Sequence, residues 1–440
     1  MADEKVKLKS DSTSPEGLQR DIRRWDLVAV AINGIIGAGI FGLPAEVYGL
    51  IGAYSLIAFV VCGVVVTLII LCFAEVGSRF EETGGPYLYA REAFGPTVAF
   101  EVGWLIWLAR LTAFAANCNL MVSYLGFFWP AANAPVQRAV IIILVVLSLA
   151  SINILGVRQA AIASNFFTIG KLIPMLIFIA AGLFFLNPQS FAFGPAPGAG
   201  AFSRSVLLLI YAFTGFEMAA IPAGEIRDPR KDLPRALLIA IGVVAFVYLL
   251  IQVVAIGTLP ELATSTKPLA DAGRRFLGTA GGAVISAGAI ISIVGNLNIV
   301  LLSGSRVPFA IAENKQLPSV LARVHRRFFT PHVAIAVTAT VMLLLTLRSS
   351  FVAALTISAI ARLVTYGATC LALPVLRRRR DVAEPWFKVR GGTFIAIASL
   401  LLATWLLANT TPPQRWQAAI AAGVGLVVYF AYRLYRARAS

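Results

Sequence analysis

The sequence has few residues that could carry catalysis or bind a metal. Its 440 residues include two histidines and four cysteines. His325 and His332 lie near one predicted loop, and no zinc-protease, serine-hydrolase or phosphate-loop motif occurs. The cysteines lie in apolar segments without metal-ligand spacing or a disulfide framework; they are Cys62, Cys72, Cys118 and Cys370. We therefore expect no metal, no cofactor and no enzymatic activity.

Charged residues are also scarce, at 13%, whereas 59% of the residues are hydrophobic and the mean hydropathy is +0.83. This composition excludes an ordinary soluble domain. Apolar segments of about 20 residues, each able to cross a hydrocarbon layer of about 30 Å, recur along the chain. They predict an all-α polytopic membrane protein with 12 transmembrane helices. The predicted segments are 25–52, 53–78, 94–128, 137–155, 160–186, 204–225, 233–258, 271–312, 332–349, 351–376, 392–409 and 416–436.

Acidic residues are outnumbered, 21 against 37 lysines and arginines, for a net charge of +16. The basic residues concentrate in alternate loops, most densely at 377–380 and 227–235, which is typical of cytoplasmic loops rather than of a nucleic-acid interface. We expect a multi-pass protein of the cell membrane, in contact with lipids, with both termini cytoplasmic and no nucleic-acid partner. Residues 1–24 lack the features of a signal peptide and predict a cytoplasmic tail ahead of a single transmembrane domain, 25–436.

Two of the apolar segments contain helix-breaking sequences. Residues 37–42 place three glycines in the first segment, and residues 213–217 place a glycine and a carboxylate in the sixth. Glycine destabilises a helix by roughly 1 kcal/mol relative to alanine. Paired breaks at corresponding positions indicate a substrate site at mid-membrane. The other interpretation is that these glycines allow close helix packing.

The segments also predict an internal repeat. Segments one to five, about 25–187, can be superposed on segments six to ten, about 204–376, so that broken helices 1 and 6 coincide. Because five is odd, the two halves have opposite orientations, which makes a five-plus-five inverted repeat. Helices 11 and 12, about 392–436, lie outside it. Residues 81–89 predict a short helix flanked by breaks.

Four ionisable residues fall inside apolar segments, where a charge is costly and is a functional hypothesis by default. Lys171 is a candidate coupling residue that exchanges a proton, or it extends to the interface. Glu217 is a candidate inner gate, a cap for freed backbone amides, or a partner of Arg362 or Arg110. Arg110 and Arg362 are interpreted as structural ion-pair partners.

Breaking helices 1 and 6 frees backbone amides and carbonyls that need partners. An amino acid supplies both kinds of partner, since its carboxylate suits amides at a helix N-terminus and its ammonium suits carbonyls. Tyr211, two residues before the second break, is predicted to cover the site and act as a gate. The predicted substrate-binding residues are Ile35, Gly37, Ala38, Gly39, Tyr211, Phe213, Thr214 and Gly215.

Five motifs in order make residues 20–436 resemble the amino acid–polyamine–organocation superfamily. They are NGIIGAGIFGLP at 33–44, GGPY at 84–87, YAFTGFE at 211–217, EIRDPRKDLP at 225–234 and AENKQLP at 312–318. The resemblance implies five-plus-five inverted repeats with two added helices. Gly37, Ala38 and Gly39 then match the carboxylate-binding turn, Phe213, Thr214 and Gly215 the ammonium-binding turn, and Tyr211 the aromatic gate.

Lys171 resembles the lysine that takes the place of a sodium ion in proton-coupled members, although obligate exchangers have it too. It therefore argues against sodium more firmly than it argues for protons. We expect a secondary active transporter, with proton-coupled uptake of neutral L-amino acids. The alternative within the class is an exchanger of cationic amino acids or polyamines. A sensor or channel would show a large added soluble domain or a continuous polar stripe, and the sequence shows neither. The transported amino acid and the oligomeric state are left open.

Overall fold

The computed structural model describes residues 22–82, 84–155, 172–220, 223 and 226–439. These residues are helical apart from turns, loops and a single bridge between Ile22 and Ile226. The helices are α1 Arg24–Ile35, α2 Gly39–Ile51, α3 Ser55–Gly77, α4 Pro86–Phe94, α5 Pro96–Leu125, α6 Pro135–Leu155, α7 Leu172–Phe185, α8 Ala199–Phe213, α9 Pro229–Thr258, α10 Pro268–Glu313, α11 His332–Arg348, α12 Phe351–Arg378, α13 Gly392–Ala408 and α14 Pro412–Ala439.

The all-α class predicted from the sequence is confirmed. Within the described residues, eight helical segments are long and apolar enough to cross a membrane, and three further apolar helices are shorter. This number supports a polytopic membrane protein. The count of twelve spans and their inverted repeat stay predictions.

The first predicted span is interrupted between α1 and α2. The break covers residues 36–38, which is shorter and earlier than the glycine run at 37–42 suggests. Gly39 and Gly42 lie inside α2 at close contacts: a Cβ atom on Gly42 would lie 2.7 Å from the ring of Phe351. Gly37 therefore lies in the break, whereas Gly39 and Gly42 allow close packing. That the break forms part of a substrate site stays a prediction.

The sixth predicted span is interrupted after α8. Thr214 is extended and Gly215 has φ +115°, and the chain continues as a 3-10 turn, Phe216–Ala220. The span is therefore divided into a long helical half and a short, tightly wound half.

Proline and glycine set the ends of two other elements. The short helix expected near residues 81–89 is α4, with Pro86 at its first position, where a missing amide costs nothing. The long segment predicted at 271–312 is kinked at Gly278, which has φ +69° within α10. In contrast, α5 has proline only at its first position and continues unbroken.

The arginine run after α12 makes specific contacts. Arg377 forms two hydrogen bonds with the fully buried Glu75 of α3, at 2.6 and 2.7 Å. Arg379, beyond the end of the helix, pairs with Asp381, and this guanidinium holds the pKa of Asp381 at about 2. The run therefore fixes the ends of α3 and α12 in addition to any role in topology.

The centre of the molecule is formed by α5, which packs against α10 and α12. Its middle, residues 109–122, is buried throughout. In contrast, α14 exposes large apolar side chains such as Trp416 and Val427, as expected of a helix that faces lipid. The two interrupted spans lie against this central group, so their breaks are enclosed by other helices.

Candidate functional site

The two helix breaks touch each other through their backbones. A Cβ atom on Gly34 would lie 2.7 Å from the carbonyl oxygen of Gly215, and a Cβ atom on Gly215 would overlap the carbonyl of Gly34. The φ of Gly215 is also one that residues with a side chain rarely adopt. Glycine is therefore needed on both sides of this contact, which places the end of α1 against the turn after α8.

The turn between α1 and α2 makes some of its backbone hydrogen bonds internally. The N–H of Gly37 donates to the carbonyl of Ile35 at 2.8 Å. Gly39 is the first residue of α2 and Ala38 precedes it; amides at this end of a helix have no acceptor within the helix, and the helix dipole there favours an anion. The N–H groups of Ala38 and Gly39 are thus the groups of the turn best placed to donate hydrogen bonds to a carboxylate.

Tyr248 of α9 joins the two interrupted spans. Its hydroxyl lies 3.1 Å from the carbonyl oxygen of Ile35 and 3.2 Å from that of Ala212. The side chain is fully buried. These carbonyls belong to the last turns of α1 and α8, where a helix leaves its acceptors unpaired. One hydroxyl is therefore within hydrogen-bonding distance of a carbonyl from each span.

A small cavity lies beside the contact between the breaks. Its free space measures about 30 Å³, room for one or two water molecules. It is lined by seven of the eight residues that the sequence predicted to bind substrate, namely Ile35, Gly37, Ala38, Gly39, Tyr211, Thr214 and Gly215. The other lining residues are Gly34, Ala113, Asn117, Met218, Asn296, Val300 and Arg362.

Phe213, the eighth predicted residue, is not part of the cavity lining. Its ring is buried against Phe59 and Tyr248, with centroid distances of 6.4 and 5.1 Å. The prediction concerned its backbone carbonyl, and that role stays a prediction.

Tyr211 is held by a polar chain that the sequence analysis missed. Its hydroxyl hydrogen-bonds with Oδ1 of Asn117 on α5, and Nδ2 of Asn117 donates to Oδ1 of Asn296 on α10 at 2.6 Å. Asn296 also lies beside the first break, since its Nδ2 would be 3.1 Å from a Cβ atom on Gly37. The signal available in the sequence was an amide side chain inside each of two apolar segments.

The carboxylate of Glu217 has three hydrogen-bonding partners. Arg362 of α12 pairs with its Oε1, and Oε2 accepts hydrogen bonds from the hydroxyl of Tyr366 at 2.7 Å and from the N–H of Gly215 at 2.9 Å. Of the three roles considered for Glu217, the structure shows two, pairing with Arg362 and capping an amide freed by the break. Gating stays a prediction.

The remaining ionisable candidates are placed differently. Lys171 lies outside the residues that the structure describes. Arg110 is buried on α5 and forms no salt bridge with a described residue. Its expected pairing is therefore not seen in the described part of the chain.

The chain is similar to several curated transporters along most of its length. It is 30% identical to a serine/threonine exchanger of Bacillus subtilis, over 97% of this chain and 99% of the relative. It is 26% identical to a branched-chain amino acid permease of Bacillus subtilis, over 96% of this chain and 94% of the relative. It is 27% identical to a large neutral amino acids transporter small subunit of Mus musculus, over 93% of this chain and 79% of the relative.

A sequence profile described as amino acid permease matches residues 22–430. The chain is an amino acid permease of the amino acid–polyamine–organocation superfamily. The resemblance found from the five motifs is thereby confirmed, and so is the expectation that the permease is not an enzyme. Both breaks and every lining residue of the permease's cavity fall within the matched range.

Proposed function

We propose that this permease is a secondary active transporter that carries neutral L-amino acids across the cell membrane by alternating access, with proton-coupled uptake. The observation that carries the proposal is the contact between the two helix breaks beside a small cavity. The three relatives described above are named for amino acids with uncharged side chains, which supports the same class here.

Backbone groups recognise the part common to all amino acids. The substrate carboxylate binds the amides of Ala38 and Gly39, where α2 begins and its dipole favours an anion. The Gly37 amide joins them when its hydrogen bond to Ile35 opens. The ammonium binds carbonyls of Ile35 and of the turn at Phe213 and Thr214.

The side-chain end of the cavity favours an uncharged substrate. Among its described lining residues there is no carboxylate, because Glu217 is turned towards Arg362 and Tyr366 and does not line it. Arg362, Asn117 and Asn296 supply the polar groups. A cationic side chain would meet a guanidinium here, so the cavity supports neutral amino acids over cationic amino acids or polyamines.

The cavity has to widen before an amino acid can enter. A volume of about 30 Å³ admits water only, so this arrangement is a closed state of the cycle. Tyr211 is part of the closure, because its hydrogen bond to Asn117 joins α8 to α5 across the cavity. Release of this bond is the proposed gating step.

The proposed topology follows the charge distribution. Twelve spans in a five-plus-five inverted repeat with two added helices place both termini on the cytoplasmic side, together with the arginine run at 377–380. The interrupted spans at the start of each half support this repeat.

Proton coupling rests on Lys171, which is proposed as the group that exchanges the proton. Exchange of neutral amino acids is the second candidate mechanism. Its support is the similarity, at 30% identity over nearly the full length of both chains, to a protein named as a serine/threonine exchanger.

Uptake by proteoliposomes tests the proposal directly. Purified protein is reconstituted, and radiolabelled serine, leucine, arginine and putrescine are offered with and without internal amino acid, and with and without an inward proton gradient. We expect uptake of serine or leucine that an acidic exterior accelerates in empty vesicles.

The other outcomes separate the alternatives. Uptake of a neutral amino acid only into preloaded vesicles, without response to the gradient, replaces proton coupling by exchange. Uptake confined to arginine or putrescine contradicts the neutral substrate class. Empty liposomes give the background.

A further inference from the structure

Arg110 is a buried cation without a partner in the described part of the chain. The residue lies in the middle of α5 and is 1% exposed. Its Nε, Nη1 and Nη2 atoms make no hydrogen bond to any described residue. A guanidinium carries five N–H donors and stays charged in proteins. Such a group inside a membrane protein is costly unless an acceptor of opposite charge reaches it.

The nearest charged groups do not balance it. Among the described residues, Arg110 interacts electrostatically with Glu217 and Arg362, so within this part of the chain two guanidiniums face one carboxylate and one positive charge is left over. Both oxygens of that carboxylate are already used by Arg362, Tyr366 and Gly215. The Nε of Arg362 also has no partner among the described residues. The cluster therefore has spare donors and a net positive charge.

A separate small cavity lies between these groups. Its free space measures about 10 Å³, and Arg110, Arg362, Glu217, Thr365 and Tyr366 contribute to its wall. That is room for about one particle of the size of a water molecule. Arg362 lines both this cavity and the substrate cavity. The two spaces therefore meet at the side chain of Arg362.

We propose that this second cavity binds a small monovalent inorganic anion, chloride in the cell, held by the guanidinium of Arg110 and the Nε of Arg362. A water molecule fits the space but brings no charge, so it leaves the positive charge uncompensated. The carboxylate group of an amino acid needs more room than the cavity has. A halide supplies the charge and accepts several N–H donors at once. It is larger than a water molecule but, as a single atom, needs less widening of the cavity than a carboxylate group does.

The anion is expected to stabilise the folded protein and to affect the neighbouring pair. A ligand that binds only the folded state raises the melting temperature in a saturable way. Because Arg362 belongs to both cavities, the anion is also placed to influence how firmly Glu217 is held. The proposal does not depend on which amino acid is transported.

Melting of the purified protein in detergent tests the site. Sodium bromide or chloride replaces sodium gluconate at constant ionic strength, so that general screening does not change. We expect a saturable rise in melting temperature for the wild type and loss of that rise in Arg110→Gln, which keeps polar atoms but removes the charge. Arg306→Gln, at another partly buried arginine on α10 that bonds to Leu302 and Ser305, is the matched control and keeps the rise.

Crystals grown in bromide locate the anion independently of any variant. We expect an anomalous difference peak between Arg110 and Arg362, and this result decides the question if Arg110→Gln does not fold. Equal melting temperatures in bromide and gluconate, an unchanged rise in Arg110→Gln, or bromide peaks only at other places overturn the proposal.

Discussion

The smallest residues of the chain shape the cavity that we propose for the substrate. Gly39 is the clearest case, because a Cβ atom there would lie 2.8 Å from the Cα atom of Ala212 on α8. The absence of a side chain lets the start of α2 pass close to α8 and places the backbone of Gly39 in the cavity wall. One substitution at this position therefore affects both helix packing and the proposed carboxylate site.

We predict that Gly39→Val abolishes amino acid binding. The added Cβ and methyl groups force α2 and α8 apart, at a cost of about 1–3 kcal/mol for overpacking, and they cover the amides of Ala38 and Gly39. The measurement is equilibrium binding of the substrate identified by uptake, together with the melting temperature.

The control for this substitution is Gly242→Val on α9, where a Cβ atom has nothing within 4 Å. Gly242→Val should bind substrate with the affinity of the wild type. Retained affinity in folded Gly39→Val would show that the carboxylate binds elsewhere.

At the scale of elements, the site depends on side chains that hydrogen-bond to the backbone groups left unpaired at the two helix breaks. Tyr248 connects the last turns of α1 and α8 through the carbonyls of Ile35 and Ala212. Glu217 accepts the N–H of Gly215 on the other side of the second break. These hydrogen bonds fix the positions of α1 and α8 relative to each other, while the backbone groups at the breaks remain near the cavity.

We predict that Tyr248→Phe loosens this junction without removing the cavity. Loss of one buried hydroxyl costs about 0.5–1.5 kcal/mol, so the melting temperature falls modestly. The carbonyl of Ile35 then keeps the N–H of Gly37 as a donor but loses its link to α9, so it can reorient, and the Michaelis constant for uptake rises. Both quantities are measured on the same reconstituted preparation.

Tyr54→Phe gives the comparison, since the Tyr54 hydroxyl bonds to the carbonyl of Gly194 in an exposed loop at 3.3 Å. Its uptake should match that of the wild type. A Michaelis constant for Tyr248→Phe equal to that of the wild type would argue against a role for this hydroxyl in shaping the site.

The sequence predicted the two breaks because glycine weakens a helix wherever it stands. It could not place the first break at residues 36–38, because Gly39 and Gly42 are equally small but serve packing inside α2. It also missed Tyr248, Asn117 and Asn296. A single polar residue in an apolar segment does not reveal which helix it faces, so these partners became visible only when α5, α9 and α10 were packed around the breaks.

At the scale of the whole molecule, the structure is a closed bundle around two interrupted spans. The cavity proposed for the substrate, at about 30 Å³, admits water but no amino acid. Transport therefore requires the elements around the breaks to move, and the break at 36–38 and the turn at Thr214 and Gly215 are where the backbone can bend with the fewest helical bonds lost. Alternating access follows from this arrangement if each half-span moves as a unit.

A structure of the protein saturated with a transported neutral amino acid tests the central claim most directly. We predict that the ligand lies between the two breaks, with its carboxylate about 3 Å from the amides of Ala38 and Gly39 and its ammonium beside the carbonyls of Ile35 and Thr214. A ligand bound away from both breaks, or either span continuous as a regular helix, would contradict the account.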